Sequence, residues 1–237
     1  MQKLKSTLKK EMVIMVKIFI DPGHGGTDPG ASGNGLVEKH LTLAIALRIQ
    51  ALLANYENAQ VKLSRGDDRT LSLKQRTDMA NVWGADYLLS IHINAGGGEG
   101  YEDFIYTSAS TKSVAYQNVM HDEIIKQIGL KDRGKKRGNL HMIRESKMPA
   151  ILTESGFIDN NGDAAKLKQS AFIDKIALGH VNGLIKIFGL NQKVSVPKPQ
   201  PTGKLYRVQV GAFANKTNAE KLAAELKSKG YPTIVVE

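Results

Sequence analysis

Apolar residues along this chain recur with two periods that follow each other in turn. Lys17–Ile20 is a run rich in β-branched residues that ends at Asp21-Pro22, and a glycine-rich loop, Gly23–Gly35, follows it. Over Leu41–Asn55 the apolar positions Leu41, Ala44, Ile45, Leu47, Ile49 and Leu52 lie close to helical spacing. Val61–Leu63 reads as a short strand. Ser72–Trp83 is amphipathic through Leu73, Met79, Ala80 and Trp83, and Gly84 supplies a helix stop. Tyr87–Ile93 is nearly continuous in apolar residues, as a strand buried on both faces would be. Gly96–Gly98 interrupts, and Tyr101–Tyr106 resumes as strand. Val114–Ile128 is predicted as a helix, Leu140–Ile143 and Ala150–Thr153 as strands, and Ile173–Phe188 as a closing helix. Strands alternating with helices predict an α/β fold: a single domain with a mostly parallel sheet flanked by helices.

The pattern changes after residue 190. The stretch Asn191–Gly203 holds three of the seven prolines, Pro197, Pro199 and Pro201, and reads as an extended linker. Beyond it, Leu205–Phe213, Asn218–Lys229 and Thr233–Val236 form a β-α-β pattern of about 35 residues, too small to bury a core alone. The expected division is a basic extension over 1–15, one domain over 16–190, the linker over 191–203 and a short half-module over 204–237. The extension shows no small-residue cleavage site, so the expectation is a chain made without a signal peptide. No stretch approaches the roughly 20 apolar residues of a membrane span.

Composition narrows the chemistry. The 237 residues carry a formal net charge of +10, which favours an anionic partner such as a wall polymer or membrane surface. Nucleic acid is not favoured, because aromatic content is 6% and the basic residues form no recognisable binding motif. The absence of cysteine excludes disulfides, thiolate metal sites and a cysteine nucleophile.

Candidate chemistry sits where the strands end, the place where an open α/β sheet presents ligands. His24 lies in FIDPGHGG, a loop where glycines permit close approach, though such loops also cap turns or bind phosphate. The GK[ST] ending of a phosphate loop is missing. His92 in LLSIHINA alternates with Ile91 and Ile93, and with Ser90 and Asn94 forms a polar stripe that is costly to bury without a purpose. Glu38 precedes the Leu41 helix, where capping is the plainer account of an acidic residue. Glu154 ends the run PAILTESGF, and a carboxylate there needs a partner. His24, Glu38 and His92 are a donor set of the size that leaves Zn²⁺ an open position for water, with Glu154 as the acid/base. His40, His121, His141 and His180 have no comparable context and are assigned surface or structural roles.

Taken together, IDPGHGG, GLVEKHL, SRGDDRTLSLKQRTDMAN, SIHINA and LTESGFIDN closely resemble, in this order, the zinc-dependent N-acetylmuramoyl-L-alanine amidases of bacterial cell-wall and phage lysis systems. The resemblance runs over roughly Val16–Leu190. It implies a Zn²⁺ site of His24, Glu38 and His92, with Glu154 as the catalytic glutamate. It further implies hydrolysis of the amide between the lactyl group of N-acetylmuramic acid and L-alanine in peptidoglycan. Asn94 is a candidate for orienting substrate or a ligand, and Arg65 and Arg76 are expected in structural ion pairs. The tail, LYRVQVGAFANKTNAEKLAAELKSKGYPTIVVE, resembles half of a SPOR-type peptidoglycan-binding repeat. A wall-binding protein without activity, and a zinc peptidase or deacetylase acting on peptidoglycan, are the competing readings. A signal-less amidase with such a tail fits a lysin of sporulation or of a phage.

Overall fold

A computed structural model describes residues 15–193, 208–231 and 233–236, in two separate units, Met1–Lys193 and Val194–Glu237. The first opens with β1 (Val16–Pro22), a two-residue-per-strand hairpin β2 (Ser32–Gly33) and β3 (Leu36–Val37), and α1 (Glu38–Leu53). Then come β4 (Ala59–Leu63), α2 (Leu73–Trp83), β5 (Tyr87–Asn94), β6 (Tyr101–Tyr106), α3 (Thr111–Ile128) and β7 (Asp132–Gly138). The unit closes with α4 (His141–Arg144), β8 (Ala150–Phe157), α5 (Asn161–Leu167) and α6 (Ser170–Phe188).

Six strands form one sheet in the order β4-β1-β5-β8-β6-β7. All neighbours are parallel except β6 against β8. The chain leaves β1 for β4 on one side and then crosses to β5 on the other, so the strand order reverses at β1. Ligands of open α/β sheets bind at such a switch point, beyond the carboxyl ends of the strands.

Alternation along the strands sorts the core into two layers. Ile18, Ile20, Leu89, Ile91 and Ile151 meet Ile45 and Ile49 of α1, Ile124 of α3 and Ile176 of α6. Phe19, Leu88 and Leu152 meet Ala80 of α2 and Met142 of α4 on the opposite face. Each fully buried Ile or Leu contributes about 1.5–3 kcal/mol. Helix α2 begins and ends where its sequence signals place it. Ser72 and Gln75 form a reciprocal capping box, and Gly84 closes the helix at φ 66°.

Three elements depart from the sequence pattern. Leu140–Ile143, expected as strand, lies mostly in the one-turn helix α4, with Met142 and Ile143 buried. Four apolar residues are too few to distinguish a period of 2 from one of 3.6. Strand β7, with sequence DRGKKRG, has no apolar pattern because it is a sheet edge, where charged side chains belong. The β2–β3 hairpin inside the glycine-rich loop turns at Asn34 (φ 53°) and Gly35 (φ 75°), the Asn-Gly pair that such a tight turn requires.

The second unit contains α7 (Lys216–Ser228), close to the predicted helix, capped by the Asn215 side chain accepting from the Thr217 amide at 2.9 Å. The tail strands are not formed over the described residues 208–213 and 233–236. Val208, Val210, Ile234 and Val236 are exposed there, and strands without a sheet to pair with gain little from extending. The basic extension before residue 15, the three linker prolines and the start of the first tail strand lie outside the described residues. No helix among the described residues is long and apolar enough to cross a membrane.

Candidate active site

His24 stands just beyond the end of β1 with φ 61°, a left-handed conformation that costs a non-glycine residue roughly 1–3 kcal/mol. A buried polar frame holds it there. Arg76 donates to the carbonyls of His24 (2.6 Å) and Pro22 (2.8 Å) and pairs with the Asp21 carboxylate at 2.9 Å. Asp21 also accepts from the hydroxyls of Ser64 (2.6 Å) and Ser90 (3.0 Å). Arg76 is thus the structural ion pair its sequence context suggests. Arg65 is different: its guanidinium donates to the carbonyls of Pro22, Gly23, Lys39 and Asp67, and makes no ion pair among the described residues. It clamps the loop backbone rather than neutralising a carboxylate.

Glu38 enters from the other side, as the first residue of α1, delivered by the β2–β3 turn. It does not cap its helix, because the N-cap is Val37, without a side-chain bond. Its carboxylate instead bridges the two imidazoles. Oε2 lies 3.1 Å from His24 Nε2, and Oε1 lies 3.0 Å from His92 Nδ1. The amides of Ala31 (2.8 Å) and Ile93 (3.0 Å) donate to the same two oxygens and fix the carboxylate's plane. The remaining nitrogen of His24, Nδ1, donates to Asp28 Oδ2 at 2.9 Å, the carboxylate–histidine arrangement that orients a metal-ligating imidazole. Asp28 has no distinctive sequence context, although its place four residues after His24, inside the glycine loop, is a usable signal.

The approach of these groups is close enough to demand glycine at two positions. A Cβ on Gly23 would lie 2.3–2.7 Å from the His92 ring, and one on Gly30 would lie 2.6 Å from Glu38 Oε2 and from the His24 ring. One ligand atom from each of His24, Glu38 and His92 lies within 4.8 Å of the others, the only such metal-competent group among the described residues. Two imidazoles and a carboxylate match the donors of a catalytic zinc site and leave further positions open. The residues present therefore fit a metal ion. Burial opposes protonation of His24, but hydrogen bonds and charge from Glu38 and Asp28 outweigh it and raise its pKa to about 9. His92 is raised in the same way, against its burial, by Glu38 and Glu154. Burial works against ionisation of Glu38, yet the two imidazoles hold its carboxyl far below the usual range. A cation held here must compete with those protons.

Glu154 on β8 is in register with His92 on β5, so the two side chains leave the same face of the sheet side by side. Its Oε2 is buried with no hydrogen-bond partner. Burial pushes its pKa up to about 7, with Glu38 and Glu102 adding to the rise against the pull of His92. A carboxyl poised near neutrality can both take and give a proton. Asn94, the next polar position along β5, donates to Glu102 Oε1 at 2.9 Å and so addresses a neighbouring carboxylate. Asn81 bonds Glu145 and Lys147 through its side-chain amide and pins the segment after α4.

The other histidines lie elsewhere. His121 is buried between Asp103 and Asp132, and His180 is buried between Thr153 and the Ile176 carbonyl. His141 sits 3.4 Å from the Thr77 hydroxyl, and His40 is exposed.

Known proteins resemble this chain in sequence and fold. The family profile described as N-acetylmuramoyl-L-alanine amidase matches residues 18–186, and that of the SPOR domain matches residues 190–237. N-acetylmuramoyl-L-alanine amidase CwlM of Bacillus licheniformis is 54% identical over 223 residues, spanning 94% of this chain and 85% of the relative. The sporulation-specific N-acetylmuramoyl-L-alanine amidase of Bacillus subtilis is 52% identical with the same coverage. Among solved structures, the catalytic domain of CwlV from Bacillus (Paenibacillus) polymyxa matches with a TM-score of 0.72 at 36% identity. That match covers 75% of this chain and 100% of the other. An N-acetylmuramoyl-L-alanine amidase from Clostridium difficile 630 matches with a TM-score of 0.71 at 35% identity, covering 73% and 96%.

Proposed function

Because this chain belongs to the N-acetylmuramoyl-L-alanine amidase family, we propose that Glu154 acts as its acid/base beside a Zn²⁺ site of His24, Glu38 and His92. The enzyme acts on the cell wall and hydrolyses the amide joining the lactyl group of N-acetylmuramic acid to the L-alanine of the stem peptide. The observation that carries the mechanism is the in-register pair His92 and Glu154, with a buried, unpartnered oxygen on the Glu154 carboxylate.

His24, Glu38 and His92 would hold the Zn²⁺, which would supply a water of pKa about 7 and polarisation of a carbonyl oxygen. Asp28 fixes the His24 ring through Nδ1, which leaves Nε2 to face the site. Glu38 is held in one plane by two backbone amides, so its oxygens cannot swing away. Glu154 accepts a proton from the attacking water on Oε2 and returns it to the nitrogen of the departing L-alanine. Its raised pKa suits both halves of that transfer near pH 7.

We further read residues 16–190 as the catalytic domain, 191–203 as a linker and 204–237 as a wall-binding element. The SPOR match and the net charge of +10 support contact with peptidoglycan and its anionic polymers. A sporulation-specific amidase and a phage endolysin among the relatives support wall lysis as the setting.

The test is to measure zinc content and to analyse the products released from purified peptidoglycan, with and without a chelator. About one zinc per chain and chelator-sensitive release of L-alanine amino termini are expected. Release of acetate, or of amino termini other than L-alanine, would contradict the assignment.

A further inference from the structure

The polar residues at the carboxyl edge of the sheet continue past Glu154 in strand order. His92 on β5 is in register with Glu154 on β8, and Glu154 is in register with Glu102 on β6. Neighbouring strands lie about 4.8 Å apart, so Glu102 stands roughly 10 Å from His92 along the row. Beyond it lies β7, four of whose seven residues are basic: Arg133, Lys135, Lys136 and Arg137. Arg133 Nε and Lys136 Nζ both donate to Glu102 Oε2 at 2.5 Å, and Asn94 donates to Oε1. Glu102 is buried, whereas the side chains of Arg133 and Lys136 are 30% and 35% exposed. One carboxylate holds two cations here, so the group carries a net positive charge and keeps donors to spare. The Arg133 guanidinium also lies over the Phe157 ring at 4.8 Å, which orients its plane.

The substrate has a matching order. Its carbonyl belongs at the metal ligands, its departing nitrogen at Glu154, and the peptide beyond that nitrogen further along the row. The glycan side offers neutral hydroxyl and acetamido groups once the lactyl carboxyl is tied up in the amide. The carboxylates of peptidoglycan are on the peptide. We propose that Arg133 and Lys136, positioned by Glu102, form a subsite for a free carboxylate on the residue that follows L-alanine in the stem peptide. The enzyme then discriminates against stem peptides in which that carboxylate is amidated. This inference rests on Glu154 being the group that protonates the leaving nitrogen.

The test compares two muramoyl peptides that differ only in a carboxylate or a carboxamide on the second residue. Wild-type enzyme is expected to show a KM about tenfold lower for the carboxylate at similar kcat, the size of one charge-assisted hydrogen bond. Arg133→Gln and Lys136→Met should bring the ratio of the two kcat/KM values close to one. Lys135→Met, on the same strand but paired with Asp122, should leave that ratio as it is. The double variant Glu102→Gln with Lys136→Met removes one charge of each sign, so a loss of folding from an unpaired buried carboxylate is separable from a loss of recognition. Equal KM values in the wild type, or discrimination that survives in both single variants, would overturn the subsite. Calorimetry with the free leaving-group dipeptide and its amide reads the subsite without turnover. Tighter binding of the carboxylate form by a wild type that cleaves neither substrate would sustain the subsite and count against the reaction assigned to Glu154. Equal binding of the two dipeptides would overturn the subsite.

Discussion

His24–Glu38–His92 and Asp103–His121–Asp132 are built from the same side-chain types in inverse proportion, and the difference decides what each can do. In the first, one carboxylate lies between two imidazoles, at 3.1 and 3.0 Å. In the second, one imidazole lies between two carboxylates, at 2.8 and 3.0 Å, and Tyr101 and Gln117 also donate to Asp103. A carboxylate bridging two rings makes their nitrogens converge on one point. A ring bridging two carboxylates points its nitrogens apart and uses both as donors. The first arrangement can exchange protons for a cation; the second is a closed charge pair under α3. Adjacent residues of one strand serve the two ends, since Glu102 belongs to the row beside Glu154 while Asp103 faces α3.

The sharpest way to break this comparison is to delete one imidazole from each cluster. His92→Ala should lose the metal and reduce turnover to background while the fold persists. His121→Ala should keep the metal and its turnover per folded molecule but lose about 3–5 kcal/mol of stability, because Asp103 is left buried without its cation. Metal analysis and urea unfolding on both variants check this. Metal loss in His121→Ala, or its retention in His92→Ala, would erase the distinction.

A pH series separates the structural histidines from each other. Burial drops the His180 pKa to about 4, below the value of 6.5 for a free imidazole. The unfolded chain therefore binds this proton more readily. The contribution of His180 is complete above about pH 6.5 and falls as pH drops towards 4, by about 3 kcal/mol in total. His121 has the opposite sign: burial opposes its proton, but Asp103 and Asp132 prevail and raise its pKa. Its contribution is complete below 6.5 and is lost as pH rises through the folded value. Differences between wild type and single variants in unfolding midpoints at pH 4.5 and 7 should carry these opposite slopes; parallel slopes would contradict the assignment. The smallest expected effect is that of Asp28→Asn. It should weaken metal affinity by about 10–100-fold, through the orientation of His24 alone, as a competition titration with a chelator would read.

The site and the fold differ in how legible they are from sequence. His24, His92 and Glu154 stand out because each interrupts a glycine-rich or apolar context, whereas Glu38 reads alone as a helix-capping carboxylate, and the structure gathers all four at the carboxyl end of the sheet. Asp28 and Glu102 do not, since a carboxylate in a loop or on a strand looks ordinary until its partner is in place. Arg65 reads as half of an ion pair, yet backbone carbonyls absorb its donors. Among the elements, long buried strands such as β5 are visible through their apolar runs. β7 is not, because an edge strand is specified by the neighbour it pairs with. The same holds for the tail, where apolar alternation without a sheet partner leaves no strand over the described residues.

In this mechanism Glu154 is chemically essential and structurally dispensable. Zinc content and the rate of L-alanine amino-terminus release, measured together on Glu154→Gln, test this most directly. About one zinc per chain with a rate lowered by roughly 10²–10⁴ is the predicted result. A near-normal rate would remove Glu154 from the mechanism, and a loss of zinc would make it part of the metal site instead.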